Sequence, residues 1–90
     1  MAGLIGNPIG YKRLLTSSDD LNNVADGIYW MLNTNNPANT PDAYNNVLIQ
    51  FSNLARGDKF QFLFDGNYAN ILFRRKDTTS WSTWKKITLH

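Results

Sequence analysis

Alternating hydrophobic and polar positions in the middle of the chain predict a β-sheet. Phe60, Phe62 and Phe64 alternate with non-aromatic residues, and this two-residue period is typical of a strand with one buried face. The same period runs through residues 46–52. Residues 27–32 are rich in aromatic and β-branched side chains, which also favour a strand. These segments predict three strands.

Turn-forming residues separate these segments from two further strands. Asp65-Gly66-Asn67 is a hairpin signal, after which residues 68–76 are expected to form the return strand. Residues 77–80 turn the chain again into a final strand at 81–89. The stretch 33–46 holds six Asn and two Pro and predicts a long loop. We therefore expect a small antiparallel sheet of about five strands, with the last three forming a meander.

The N-terminal part of the chain predicts little regular structure. Glycine and proline within residues 1–15 indicate an extended lead-in that serves as an attachment segment, and residues 16–90 then form a single β-rich domain. Residues 17–24 predict one short helix, because Ser and Asp can cap it and Leu21 lies three positions before Val24. The predicted fold class is mainly β with one short N-terminal helix.

Composition agrees with this fold class. All seven acidic residues are aspartate and asparagine occurs twelve times, which argues against a helical protein. A chain of 90 residues buries only about 60% of its unfolded surface. Its three Trp, four Tyr and five Phe must therefore fill a dense core, or a partner subunit must complete it. We expect neither a membrane span nor a signal peptide.

The residue types that catalysis and metal binding require are sparse. The sequence has no cysteine, and its one histidine is His90, the last residue given. The aspartates fall in predicted caps and turns, where backbone amides and water keep them ionised. No phosphate-binding glycine loop or calcium-loop spacing is present. We therefore expect no enzyme, no catalytic residues, no metal site and no cofactor.

A cluster of basic and tryptophan residues lies near the C-terminus. Residues 56–90 contain seven basic residues against three aspartates, and Arg74-Arg75-Lys76 precedes Trp81 and Trp84. In one interpretation a tryptophan covers the core and the basic side chains extend over its edge. In the other the cluster is a platform for a sugar or a nucleic acid, and the Asn-rich loop adds contacts. The candidate ligand or receptor contacts are Trp81, Trp84, Arg74, Arg75, Asn35, Asn36 and Tyr44.

The order of several short motifs resembles a known family. Asp20-Leu21-Asn22 is followed by Gly27-Ile28-Tyr29, and Phe73-Arg74-Arg75 is followed by Trp81-Ser82-Thr83-Trp84-Lys85. Over about residues 17–88 this order is similar to the knob-like modules of tail fibres and baseplates in bacteriophages and phage-tail-like bacteriocins. The structural signature of the resemblance is Leu21, Gly27, Tyr29, Phe73, Trp81 and Trp84.

The resemblance implies a structural part of a virion that contributes to host attachment as a receptor-binding or fibre-tip knob domain. It implies a homo-trimer whose partners are other tail-fibre or baseplate proteins, with host cell-surface polysaccharide as a candidate ligand. It places the protein in the phage tail after synthesis in the host cytoplasm without a signal peptide. A free-standing carbohydrate-binding module and a small nucleic-acid-binding sheet stay open as alternatives, although the modest charge leads us to expect no nucleic acid.

Overall fold

A mixed six-stranded sheet is the main element of the computed structural model. The structure describes residues 10–32, 34–41, 45–66 and 70–88, with the backbone alone at positions 45, 46 and 88. The strands are β1 (Tyr11–Leu15), β2 (Gly27–Met31), β3 (Asn45–Asn53), β4 (Asp58–Asp65), β5 (Asn70–Lys76) and β6 (Lys85–Thr88). They lie side by side in chain order, with β1 parallel to β2 and every other pair antiparallel. The predicted mainly β fold is confirmed.

The sheet has one strand more than predicted, and it is mixed rather than antiparallel. Tyr11–Leu15 belongs to the lead-in predicted at residues 1–15, but it pairs with β2 and buries Leu15 completely. A parallel pair requires a long crossover, and residues 16–26 provide it. Residues 1–9 lie outside the described residues, so the attachment role of the lead-in stays a prediction.

The short helix predicted for residues 17–24 is absent. A single 3₁₀ turn, Leu21–Asn23, stands in its place, with Asp20 as its N-cap. The carbonyl oxygens of Leu21 and Val24 accept hydrogen bonds of 2.6 and 2.9 Å from glutamine side chains of the sheet. Because the sheet satisfies these carbonyls, the segment crosses it as irregular chain without needing helical hydrogen bonds.

The hydrophobic core lies on one side of the sheet, which we call the core face. Tyr29, Leu48, Leu63 and Leu72 form a row at paired positions of β2 to β5, and all four are buried. The crossover and part of the Asn-rich loop cover this row. The other buried apolar side chains of the cluster are Leu15, Leu21, Val24 and Met31.

A buried row of polar side chains runs beside the apolar row, and we call it the polar row. It consists of Gln50, Gln61 and Arg74, which are paired across β3, β4 and β5. Gln61 Nε2 donates to Gln50 Oε1 at 2.7 Å, and Arg74 Nε donates to Gln61 Oε1 at 2.7 Å. The same glutamines donate to the crossover carbonyls, so the polar row joins three strands to the chain above them.

The predicted two-residue period of β3 and β4 is confirmed, but the fully buried positions are the ones between the phenylalanines. Gln61 and Leu63 are buried, whereas Phe60, Phe62 and Phe64 are half-buried on the opposite side. The glutamine side of the sheet is the buried one because the crossover packs against it.

The last hairpin forms as predicted, but its final strand begins later. Trp81 makes an isolated bridge to Lys76, the Ser82 amide donates to the Arg75 carbonyl at 2.8 Å, and β6 begins at Lys85 after a one-residue shift in register. Asp77 closes the turn by accepting hydrogen bonds from the backbone amides two and three residues later.

Gly27 provides a test of the close approach between β1 and β2. Its φ is 154°, and a methyl group there would lie 2.6 Å from Lys12 Cγ and 3.2 Å from the Gly10 carbonyl oxygen. We expect Gly27→Ala to lower the free energy of unfolding by about 1–3 kcal/mol in urea denaturation. Gly10→Ala is the matched control, since nothing lies within 4 Å of the added methyl, and should change it by less than about 0.5 kcal/mol. Equal stability of both variants would contradict this account.

Asp19 should make stability depend on acid pH. Its carboxylate accepts hydrogen bonds from the Arg13 guanidinium at 2.8 and 3.0 Å and from the Thr16 amide at 2.8 Å, and these contacts lower its pKa to about 2. Because the folded pKa lies below the ordinary value of 3.8, the stabilisation is complete above that value and is lost as pH falls through about 2.

We expect Asp19→Asn to lower the free energy of unfolding by about 1 kcal/mol at neutral pH. The difference from the parent chain should shrink as the pH falls from about 4 to about 2, because the parent carboxyl then becomes neutral as well. Urea titrations at several pH values measure this, and a difference that stays constant down to pH 2 would exclude the mechanism.

Candidate functional site

An arginine–tryptophan cluster, formed by Arg74, Trp81 and Trp84, lies at the end of the polar row. The guanidinium carbon of Arg74 is 4.1 Å from the ring centroid of Trp81 and 4.7 Å from that of Trp84. Both rings reach the same side of the sheet because the pairing with β5 shifts by one residue between the Lys76–Trp81 bridge and the Phe73–Lys85 pair. A desolvated cation over an aromatic ring is stabilised by about 2 kcal/mol, so each ring contributes to holding the arginine.

Arg74 also joins distant segments through hydrogen bonds. Its Nε donates to Gln61, and its Nη2 donates to Asn22 Oδ1 at 2.8 Å, while the residue is only 5% exposed. Burial lowers its pKa to about 10, and the negative charge of Asp20 acts in the opposite direction. At neutral pH the guanidinium is therefore a buried cation that organises the fold around it.

Trp84 extends the cluster to the Asn-rich loop. Its Nε1 donates to the Asn39 carbonyl at 3.1 Å, and Asn39 Nδ2 donates to Asp20 Oδ1 at 2.7 Å. Asn39 has a φ of 66°, a left-handed conformation in which asparagine is enriched. Ala38 forms a parallel bridge with Asp20 as well. The loop is therefore held at Asn39 by Trp84 of the cluster, and at Ala38 and Asn39 by Asp20 of the crossover.

The candidate contacts near the C-terminus have different surroundings. Arg74, Trp81 and Trp84 come together, but they contact one another, and the tryptophans are half-buried. The Trp81 Nε1 is buried and has no hydrogen-bond partner among the described residues, so packing holds this ring in place. Arg75 is exposed, and its position in β5 directs it to the opposite face of the sheet.

The candidate contacts in the Asn-rich loop are only partly described. Asn35 is exposed, and its Oδ1 accepts a hydrogen bond from the Ser17 amide at 3.1 Å. Asn36 is half-buried. Tyr44 lies outside the described residues. The loop thus offers polar groups to solvent on a backbone that the crossover supports.

Three of the four motifs that carry the family resemblance meet in this part of the structure. The Asp-Leu-Asn motif supplies an amide oxygen and a nearby carboxylate, the Phe-Arg-Arg motif supplies the cation, and the tryptophan motif supplies both rings. Of the structural signature, Leu21 and Tyr29 lie in the core. Phe73 instead lies on the opposite face, beside Phe62.

That opposite side of the sheet carries a continuous apolar surface, which we call the aromatic face. Its side chains form rows across the strands, and none of them is buried. Within the described ranges no segment covers this face: Trp30 is 41% exposed and Ile87 47%. The aromatic face consists of Tyr11, Leu14, Ile28, Trp30, Val47, Ile49, Phe51, Phe60, Phe62, Phe64, Ile71, Phe73 and Ile87.

Ring contacts make the aromatic face a continuous layer. Phe51 lies 5.6 Å from Phe60 and 5.9 Å from Phe62, and Phe62 lies 4.9 Å from Phe73, measured between ring centroids. These separations lie within the 4.5–7 Å range of favourable aromatic pairs, each worth about 0.5–1.5 kcal/mol beyond its buried area. Such a surface can bind another apolar surface.

Sequence reasoning missed both the polar row and the aromatic face. The polar row becomes visible only when the register places Gln50, Gln61 and Arg74 opposite one another. The aromatic face had a signal in the alternating phenylalanines of β4, but the pattern alone does not say which side of a strand is covered.

Features of other functional classes are not found in the described ranges. No three His, Asp or Glu side chains lie close enough together to hold a metal ion, and no pocket is present. In the same part of the chain, no helix has the length and apolar character to cross a membrane. Comparison of the chain with protein-family models, with curated proteins and with solved structures finds no match in any of the three.

The arginine–tryptophan cluster predicts that lysine cannot replace Arg74. Arg74→Lys keeps the charge but loses the planar contact with the two indole rings and leaves Gln61 Oε1 without its donor. We expect the free energy of unfolding to fall by about 2–3 kcal/mol in urea denaturation followed by tryptophan fluorescence. Arg75→Lys, at the exposed neighbouring position, is the matched control and should cost less than about 0.5 kcal/mol. A small effect at both positions would show that the cluster is dispensable.

Proposed function

We propose that this chain is a non-enzymatic structural module of a phage tail fibre or baseplate that contributes to host-surface attachment as a homo-trimer. The observation that supports it is the meeting of three of the four resemblance motifs, those containing Asn22, Arg74 and the two tryptophans, around the buried Arg74. Matches that arose by chance would have no reason to assemble around one buried cation. Motifs that define a shared fold would be expected to do so.

The proposal assigns different roles to the two ends of the module. Residues 1–15, whose last part is the edge strand β1, would join the module to a shaft or baseplate. Residues 34–41, which the arginine–tryptophan cluster supports, would be presented to the host. Exposed amides such as that of Asn35 suit the hydroxyl groups of a surface polysaccharide. A loop already held in place loses less conformational freedom on binding than a mobile loop.

The two alternatives receive less support. A sugar platform built on Trp81 and Trp84 receives less support because Arg74 occupies one face of each ring and both rings are half-buried. A nucleic-acid-binding sheet would lose Arg74 as a phosphate contact for the same reason, since that side chain is buried. The proposed adhesive surface is therefore the loop, with the tryptophans acting as its support.

Attachment can be tested with the labelled protein on a panel of intact bacteria and on purified lipopolysaccharide. We expect saturable binding to the host strain, weakened about 10-fold by Asn35→Ala because the loop loses a polar contact and a bond that fixes its backbone. Asn23→Ala, at an exposed position of the crossover, is the matched control and should bind like the parent chain. Equal loss in both variants would exclude the loop as the contact surface.

Location in the virion has its own test. Antibodies against the chain should label the tails of phage or tail-like particles in negative-stain electron microscopy. Labelling of other cell structures, with unlabelled particles, would overturn the proposal.

A further inference from the structure

We propose that the aromatic face is the surface through which copies of this chain pack against one another. The inference rests on the proposed function in one respect, namely that the module works as an assembled part. It adds to that proposal the surface that is covered and the partner that covers it, a second copy of the chain.

The size of the aromatic face suits such an interface. Neighbouring strands lie about 4.8 Å apart, so six strands present a width of about 24 Å, and three rows of side chains extend about 20 Å along them. The surface is about 500 Å², comparable with the largest apolar patches on ordinary monomers. Each copy would bury up to about 500 Å² through this face, at the lower end of the range for specific interfaces.

The chemistry of the face favours a permanent partner. The row that contains Trp30, Phe64 and Ile87 is apolar at every described position from β1 to β6. Interfaces that form and separate are more polar than this, whereas obligate ones resemble a domain core. A second copy is made together with the first, so it is always present to keep the aromatic face out of water.

Charged residues on the edge strands indicate that copies pack through a face of the sheet and not by pairing their edge strands. The edge strand β1 carries Lys12 and Arg13, and the edge strand β6 carries Lys85 and Lys86. Lysine on an edge strand is a known protection against edge-to-edge pairing. Here β1 of one copy beside β6 of the next would also bring like charges together. The aromatic face has no comparable protection at its centre.

Charge also orients the packing. Arg75 and Lys85 border the aromatic face on its β5–β6 side, at the ends of two of its rows. Copies that brought these two positions together would place like charges side by side without compensation. Arg75 and Lys85 therefore lie on the solvent-exposed rim, and the apolar positions of the rows form the buried centre.

Sedimentation equilibrium and light scattering of the full chain test the proposal. We expect a multiple of the 10.3 kDa chain mass. Trp30→Asp places a carboxylate within the predicted centre of the interface, and Ile87→Asp places one at the other end of the same row. We expect the former to raise the dissociation constant at least about 30-fold and the latter to raise it less. Leu54→Asp is the matched control, because Leu54 is 84% exposed in a turn away from the aromatic face, and it should leave the mass unchanged.

Each outcome decides the proposal. Trp30 and Ile87 are already exposed, so we expect both aspartate variants to fold, and near-ultraviolet circular dichroism checks this. One folded variant is enough to test the interface. A parent chain that stays monomeric at millimolar concentration overturns the inference. An oligomer that Trp30→Asp and Ile87→Asp leave intact also overturns it, because the copies then meet elsewhere. An oligomer that dissociates as expected but neither labels tails nor binds bacteria supports the inference and removes the proposed function.

Discussion

Because Arg74 is almost fully buried, its charge has to be compensated inside the fold, and that requirement fixes what surrounds it. Two indole rings, the Gln61 side chain and the Asn22 side chain provide the compensation. These groups come from the crossover, from β4 and from the segment before β6. An uncompensated cation at this depth would be strongly unfavourable, so the three segments can only be placed together. The loop at residues 34–41 follows, since it binds to Trp84 and Asp20.

Local signals were enough to predict the central strands. The strand expected at residues 27–32 is Gly27–Met31, and the strand expected at 46–52 is Asn45–Asn53. Side-chain alternation and turn residues act within a few positions, so a sequence pattern reports them directly. The parallel strand β1 and the missing helix depend on partners far along the chain. Leu21 is a reasonable helix residue whose carbonyl is instead satisfied by Gln61, forty positions later.

For the candidate site, too, the local sequence indicated which residues take part, whereas their roles depend on contacts between distant segments. The tryptophan and arginine motifs were recognisable in the sequence, and so was the choice between a structural and a ligand-binding interpretation. The contact between Arg74 and both rings depends on a one-residue shift in pairing before Lys85, which a regular strand pattern does not predict. The alternating phenylalanines of β4 were visible too. Their exposure was not, because it depends on the side of the sheet that the crossover covers.

The two faces of the sheet differ in how completely their apolar groups are covered, since the buried apolar cluster lies on the core face alone. The core face contains the polar row, with glutamine and arginine side chains satisfied inside. The aromatic face leaves phenylalanine, isoleucine and valine open to water. Buried polar groups specify one arrangement of the chain, whereas exposed apolar groups gain free energy only when something covers them. The polar row joins the strands to the crossover within one copy, whereas the aromatic face is the surface that the proposed assembly would cover. In that proposal the loop and the rim of the sheet remain as surface for contacts beyond the assembly.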